Sequence, residues 1–379
     1  MQTANSSYPL RLHRTTRRIL VVLATCMLAA GCSGGFGPRA LKFNRNQYNM
    51  AMQQTSAQEL LLNLVRLRYR DTLLFLQVAS LSASLKFSGG IGLSGEMPTQ
   101  GPSIVTLDGS VALEESPTMT YTPLQGEDFV KQMLEPVELE VLLLLSSSGW
   151  SVECALRLLV QSINGIPNAP TASGPTPELA PKFERFLRVA HLIRSLQQRS
   201  LIDLSTTPES VLGGANSPSM RIFLVLAPGA LDLAETRELV ETLDLIPGRP
   251  YYEIVSRIGP HDPERISVDA RSATEAMFYA SQSVEVPRAH EEDGRVTVTL
   301  EEGGQRFDWS KLTGNLIRIR SGGRPDGAYV AVKYRGRWFY IEDSDLESKT
   351  TFALLNTVLA LQAGEVPRSG PVLTLPVAR

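Results

Sequence analysis

The side chains in this sequence that could do chemistry are few, and most stand apart. His191, His261 and His290 have no second histidine or cysteine at ligand spacing, so a zinc site would have to be assembled from distant parts of the chain. His261 lies between Pro260 and Pro263 beside Asp262 and Glu264, a setting that suits a turn better than catalysis. His290 precedes Glu291, Glu292 and Asp293 and reads as part of a solvated loop, while His191 reads as a surface or edge residue of a helix. Glu342, Asp343 and Asp345 form the densest carboxylate group, but the further oxygen ligands and the glycine of a calcium loop are missing. Asp345 is better placed to oppose a helix dipole. Gly90, Gly92 and Gly95 match G-x-G-x-x-G after a strand, yet Pro98, Gly101 and Pro102 follow where a phosphate-binding helix must begin. No Walker loop and no G-x-S-x-G occurs. The sequence therefore assigns no catalytic residue, no cofactor and no metal ligand. A hydrolase built from dispersed residues would need a pocket joining His261 to Glu342 or Asp343.

One thiol is different. Cys32 follows Leu28, Ala29, Ala30 and Gly31 at the end of a short apolar run, Ile19 to Leu28, which stands behind Arg11, Arg14, Arg17 and Arg18 with no acidic residue. The run is too short to cross a hydrocarbon core of roughly 30 Å as a helix and reads as a processed signal. The pattern resembles the lipobox of exported bacterial lipoproteins. That resemblance implies cleavage between Gly31 and Cys32, transfer of diacylglycerol to the thiol, and a further acyl chain such as palmitate. Each buried methylene adds ~0.8 kcal/mol and one chain holds only marginally, so a triacylated cysteine is a permanent membrane anchor. Ser33 stands where aspartate commonly marks inner-membrane retention, so the implied address is the outer membrane, on its periplasmic side. Thr16 to Leu20 also has a faint twin-arginine look, which a basic n-region produces by chance.

Removal of the signal takes four arginines and leaves 33 basic against 39 acidic residues, a net charge of −6 that argues against a nucleic-acid partner. Cys26 leaves with the signal and Cys32 takes the lipid. Cys154 is then alone, and no intramolecular disulfide is expected. The partners expected are the membrane, through the anchor, and envelope proteins or further copies of the chain.

The elements that must position these groups suggest an α+β protein: an N-terminal helical region carrying a long amphipathic β-hairpin, then a mixed α+β domain. The expected division is signal 1–31, lipidated tether 32–42, helical region 43–205 with the hairpin at 81–114, and α+β domain 206–379. Residues 43–70 read as helical, with Ser56 and Glu59 as a capping box and Arg66, Arg68 and Arg70 at the C-terminal end. Those arginines, with Asp71 as a partner, suit the helix dipole; the competing reading is a phosphate or lipid-headgroup site.

From Leu81 to Leu93 the odd positions are Leu, Ala, Leu, Phe, Gly, Ile and Leu, and the even ones are Ser, Lys or Gly. After a turn-rich stretch, Val105, Leu107, Val111 and Leu113 alternate with polar residues. A period of 2 predicts strands with one apolar face, packed either on the preceding helix or, in an oligomer, inserted as part of a transmembrane barrel. Helix is expected over 126–163, ended by Asn164 and Gly165, and again over 177–199 with Thr176 as N-cap and Pro177 at N1. Thr206 to Ser217 reads as the inter-domain linker. Beyond it, strands are expected at 222–226, 251–255, 296–300, 316–319 and 372–375, with a tight hairpin at 328–341 across Arg335 and Gly336. Helices are expected at 232–243 and 272–281, and a last one is capped by Ser344 and Glu347. The aromatic group Tyr334, Trp338, Phe339 and Tyr340 suits core packing better than recognition.

Three blocks, Leu60 to Thr72 (LLLNLVRLRYRDT), Gln161 to Asn168 (QSINGIPN) and Tyr334 to Ala353 (YRGRWFYIEDSDLESKTTFA), resemble an uncharacterised family of long lipoproteins from Gram-negative bacteria. The resemblance spans most of the mature chain and implies no activity and no site residues.

Overall fold

A computed structural model describes residues 38–96, 104–124, 126–207, 221–256, 260–363 and 373–376. The signal segment, Gly31 and Cys32 lie outside the described residues. Helix α1 (Pro38–Arg68) is followed by strands β1 (Leu76–Glu96) and β2 (Ile104–Pro123), then α2 (Glu127–Leu134), α3 (Leu139–Ser147) and α4 (Val152–Leu159). Next come β3 (Val160–Ile163), β4 (Ile166–Pro167), α5 (Glu184–Gln198), β5 (Ile202–Thr207), β6 (Arg221–Leu226), α6 (Ala234–Thr242), β7 (Tyr251–Ser256), β8 (Arg265–Ala270) and α7 (Ala273–Ser281). The chain continues through α8 (Arg288–Glu292), α9 (Ser310–Thr313), β9 (Arg320–Gly322), β10 (Ala328–Tyr334), β11 (Arg337–Glu342), α10 (Leu346–Ala363) and β12 (Leu373–Pro376). The class is α+β, and the chain divides into two units between Ala57 and Gln58.

The boundaries expected from the sequence need correction at several places. The tether does not extend to residue 42: α1 starts at Pro38, where a proline's missing N–H costs the first turn nothing. Ser56 and Glu59 lie inside α1 and cap nothing. The boundary expected at 206 falls between β5 and β6, which are antiparallel ladder partners from Ile202 opposite Leu226 to Thr207 opposite Arg221. Strands from both sides of it build one six-stranded sheet, ordered β4-β3-β8-β7-β6-β5. Helix does not run to Ile163. Val160–Ile163 is a strand, and Asn164 and Gly165, at φ of 45° and 75°, turn it back into β4 as an Asn-Gly hairpin. The helix expected from Pro177 starts only at Glu184, because Pro181 cannot sit in a helix interior and biases Ala180 away from helical backbone. Residues 296–300 and 316–319 form isolated bridges at Leu300 and Ile319 rather than strands, and β8 was not anticipated.

The six-stranded sheet carries its core on one face. Val160, Ile202, Leu224, Tyr252, Ile266 and Val268 pack against Phe186, Val189 and Leu196 of α5, Leu239 of α6 and Leu243 just past its end. Its other face carries Arg221, which grips Glu253 through two 2.6 Å hydrogen bonds, with Arg265 3.2 Å away. One apolar and one solvated face is the usual arrangement of a largely antiparallel sheet. Only β7 and β8 run parallel among its pairs.

A fully buried arginine joins this sheet to the helices. Arg271 donates from Nη1 to the carbonyls of Arg157 (3.1 Å), Leu158 (3.2 Å) and Val160 (2.8 Å), from Nε to Ser173 Oγ (2.8 Å), and from Nη2 to the Asn168 carbonyl. The first three are the carbonyls that the C-terminus of α4 leaves without helical partners. Asn168 Nδ2 adds bonds to Arg157 O (2.9 Å) and Val160 O (2.6 Å), and the guanidinium stacks on Tyr279 at 4.1 Å. Burial lowers its pKa to about 10, so it stays charged at neutral pH.

Candidate assembly element and its root

Hairpin β1–β2 is the element whose form least resembles that of an ordinary core component. Its register runs unbroken from Ser80 opposite Thr120 to Glu96 opposite Ile104. The 20 residues of β2 correspond to about 65 Å at ~3.3 Å per residue. One face holds the positions of Leu81, Phe87, Ile91 and Leu93 opposite Met119, Leu113, Gly109 and Leu107, with Glu115 across from Leu85 as its charged member. The other face holds Ser82, Ser84, Lys86, Ser88 and Gly92 opposite Thr118, Ser116, Glu114, Ala112 and Asp108. Gly90, Gly92 and Gly95 are thus strand positions. The period-2 pattern is kept in both strands, and the ladder aligns it.

The packing of the apolar face on the preceding helix, expected from the sequence, concerns side chains outside those described. The sheet order is β1-β2-β12, and β12 covers only Thr118–Tyr121 of β2. The outer edge of β1 and positions 104–117 of β2 pair with no described strand.

The root, by contrast, is fixed. Asn63 on α1 behaves as a strand residue toward Leu74, donating Nδ2 to its carbonyl at 2.7 Å and accepting its N–H at 3.2 Å. Glu59 accepts the Leu76 N–H at 2.7 Å; burial holds its carboxyl above the usual range, partly offset by that bond and by Arg66. Phe75 meets Phe129 edge-on at 5.9 Å, and Leu124 N–H closes the base on Phe75 O at 2.9 Å. On the same stretch of α1, Leu60, Leu61 and Leu64 are all buried.

Just beyond α1 two of the blocks singled out in the sequence meet. Asp71 accepts from the Tyr334 hydroxyl and from Arg335 at 2.9 and 3.2 Å, so its partner lies across the chain and not among Arg66, Arg68 and Arg70. Burial opposes the charge on Asp71, but these two donors hold its pKa below the usual value. Tyr69 packs edge-on against Tyr334, Phe339 and His290, and Arg335 lies over its ring at 5.2 Å. Arg335 and Gly336, at φ of 45° and 81°, make the tight turn that presents both donors.

His290 is buried on α8, not in a solvated loop, and its Nδ1 is 2.7 Å from Tyr69 Oη. Burial, then the Arg295 cation, lowers its pKa, with Arg337 and Arg335 acting the same way and Asp293 opposing. A neutral imidazole matches a Tyr69 hydroxyl whose own pKa burial pushes up to about 12. Since folding depresses the His290 pKa, its contribution is fully present above the unfolded value near ~6.5 and is lost as pH falls through the lower folded value. The difference in thermal midpoint between the natural chain and His290→Gln should therefore shrink on acidification below pH ~6.5. A difference independent of pH between 7.5 and 5, on the order of experimental error, would reject this.

The other residues considered from the sequence are committed to separate partners. His191 is exposed, 4.0 Å from Glu153. His261 bonds Asp244 through its carbonyl (2.9 Å) and carboxylate (3.2 Å). Glu342 pairs with Arg320, Asp343 with Lys349, and Asp345 caps α10 by accepting Ser348 N–H at 3.1 Å, the role expected of Ser344. Phe339 is fully buried while Trp338 and Tyr340 are half-buried, as alternation along β11 requires. Cys154 is buried beside Thr351 Oγ1 at 3.4 Å, and burial raises its thiol pKa. Among the described residues no group of three histidine, cysteine or carboxylate side chains could hold a metal, and no helix is long and apolar enough to cross a membrane.

Sequence reading missed the buried arginines. Arg68, Arg157 and Arg271 all lie inside the protein, yet charge in a sequence reads as surface. The signals available were Arg68 within the apolar stripe of α1 and Arg271 immediately before the Ser272–Glu275 capping box, which the structure contains. No family model, curated protein or solved structure matches this chain significantly.

Proposed function

We propose that this chain is a lipid-anchored protein of the bacterial outer membrane, held on the periplasmic side through acylated Cys32, with a structural role in which copies associate through hairpin β1–β2. The observation that carries the reading is the hairpin itself: two strands of 21 and 20 residues on a fixed root, whose edges, apart from the β12 pairing, meet no described strand. Unpaired N–H and C=O groups along a strand edge template the addition of another strand, and soluble proteins usually blunt such edges. Here the β1 edge carries Lys86 as its one lysine and contains no proline. The lipobox-like residues 28–32 agree with an anchored part.

A second reading follows from the segregation of the faces. About 9–11 residues of tilted strand suffice to cross a bilayer, and each strand has twice that length. One apolar and one small-polar face is the pattern of a barrel wall, and a barrel of at least about eight strands would take four or more copies. In this reading the hairpins insert and Cys32 holds each protomer beside the membrane.

The test is the native mass of the full-length chain extracted in mild detergent, by size exclusion with light scattering. A multiple of the 41.5 kDa chain is expected, less the signal; a monomer at working concentration rejects self-association. Cys32→Ser separates the two readings. Release into the soluble fraction leaves the anchored assembly and removes insertion, whereas retention in the membrane supports insertion.

A further inference from the structure

A cleft of about 560 Å³ opens between the end of α1 and the segment 282–318, and the buried cation of Arg68 lines it with an unused donor. Arg68 is 3% exposed; Nη1 donates to Thr176 Oγ1 at 2.9 Å and to Thr297 O at 3.3 Å. Its Nε is buried with no partner, and Nη2 bonds no described residue. Nε has no accessible surface, so Nη2 is the donor that can meet a ligand oxygen from the cleft. The other arginines on the cleft are already neutralised, Arg306 by Glu291 and Arg318 by Glu285 at 2.7 Å. Arg68 has no carboxylate within salt-bridge distance among the described residues, and burial lowers its pKa to about 10. Burying an unpaired ion costs several kcal/mol, a cost an anion would offset. Beside it, Trp309 has a buried Nε1–H without a partner, and its ring meets Phe307 edge-on at 5.0 Å.

We infer that this cleft binds a small organic carboxylate, one oxygen on Nη2 of Arg68 and its apolar body against Trp309 and Phe307. The volume lies within the ordinary range for small-molecule sites, roughly 300–1,000 Å³, and the mixture of one anchoring cation with aromatic walls is typical of them. Thr176 acts as a positioning residue: it accepts from Arg68 and donates to Gln282 Oε1 at 3.1 Å, so the guanidinium plane is fixed before any ligand arrives. The site is independent of the hairpin and of the anchor.

The probes are benzoate and its neutral isostere benzamide, titrated into the purified full-length chain and read by calorimetry and tryptophan fluorescence. Benzoate is expected to saturate in the millimolar range and to bind about tenfold more tightly than benzamide. Arg68→Lys, which keeps the charge but loses the planar Nη2 donor, should weaken benzoate about tenfold. Glu285→Gln removes a carboxylate from the rim, away from the core, and should tighten benzoate binding. Trp309→Phe should abolish the fluorescence response. Equal affinity for the two probes, or benzoate affinity unchanged by both Arg68→Lys and Glu285→Gln, overturns the inference. If Arg68→Lys does not fold, the benzoate–benzamide ratio together with Glu285→Gln decides it.

Discussion

Arg271→Met is expected to destabilise the protein by about 3–5 kcal/mol, a large fraction of what a domain possesses. Methionine approximates the length of the arginine stem, so the loss is one of hydrogen bonds more than of volume. One guanidinium serves the carbonyls of Arg157, Leu158, Val160 and Asn168 and the hydroxyl of Ser173, all in a buried region. Each buried acceptor left without a donor costs roughly 1–3 kcal/mol, and relief of the desolvation of Arg271 offsets part of the sum. Urea unfolding followed by circular dichroism measures the difference. Arg199→Met is the control, because Arg199 pairs with Glu235 at the surface and such pairs contribute at most about 1 kcal/mol. Equal midpoints for the two variants would show that Arg271 does not hold α4, β3 and the 168–173 loop together.

Replacing residues 84–116 by an Asn-Gly turn is expected to leave the rest of the protein folded while reducing the native particle to a monomer. The cut falls between Ala83 and Pro117, which oppose each other in the ladder, so a two-residue turn closes the shortened hairpin. Everything that fixes the root is retained: Asn63 on Leu74, Glu59 on Leu76, Phe75 on Phe129, and β12 on Thr118–Tyr121. Excision should therefore change the thermal midpoint by no more than about 3 °C, corresponding to roughly 2 kcal/mol in a protein of this size. Light scattering gives the mass. A truncated chain that stays oligomeric would place the self-association elsewhere, and one that unfolds would show that the hairpin is needed for the fold.

The hairpin was legible because a period of 2 sustained over more than a dozen residues has no helical alternative, and because each partner strand repeats it. The 328–341 hairpin was legible for a different reason: Arg335 and Gly336 supply two consecutive positive-φ positions, and the alternation on either side sets the register. The same turn chemistry was present at Asn164 and Gly165, but helical spacing upstream led it to be read as a helix end, and β3 was lost with it. Pro181 marked the true start of α5, yet the apolar stripe extending back to Leu179 outweighed it; Leu179 is two-thirds exposed. Residues 296–300 and 316–319 have the composition of strands but find only single bridges, a tertiary outcome that no local pattern specifies. The buried arginines were least legible of all. Most of their hydrogen-bond partners are carbonyls and hydroxyls more than 100 positions away, as when Arg68 reaches Thr176 and Arg157 reaches Leu312.

Those distant partners impose an order on the chain as it is made. The last turn of α1 and the residues after it cannot complete their bonds until positions 290, 297 and 334–335 have appeared, and α4 lacks its terminating cation until position 271. More than 200 residues thus separate Tyr69 from His290 and Asp71 from Tyr334, which places this molecule among topologies of high contact order that close slowly and late. Hairpin β1–β2, whose pairing is entirely local, needs none of this and can zip while the body that carries it is still open.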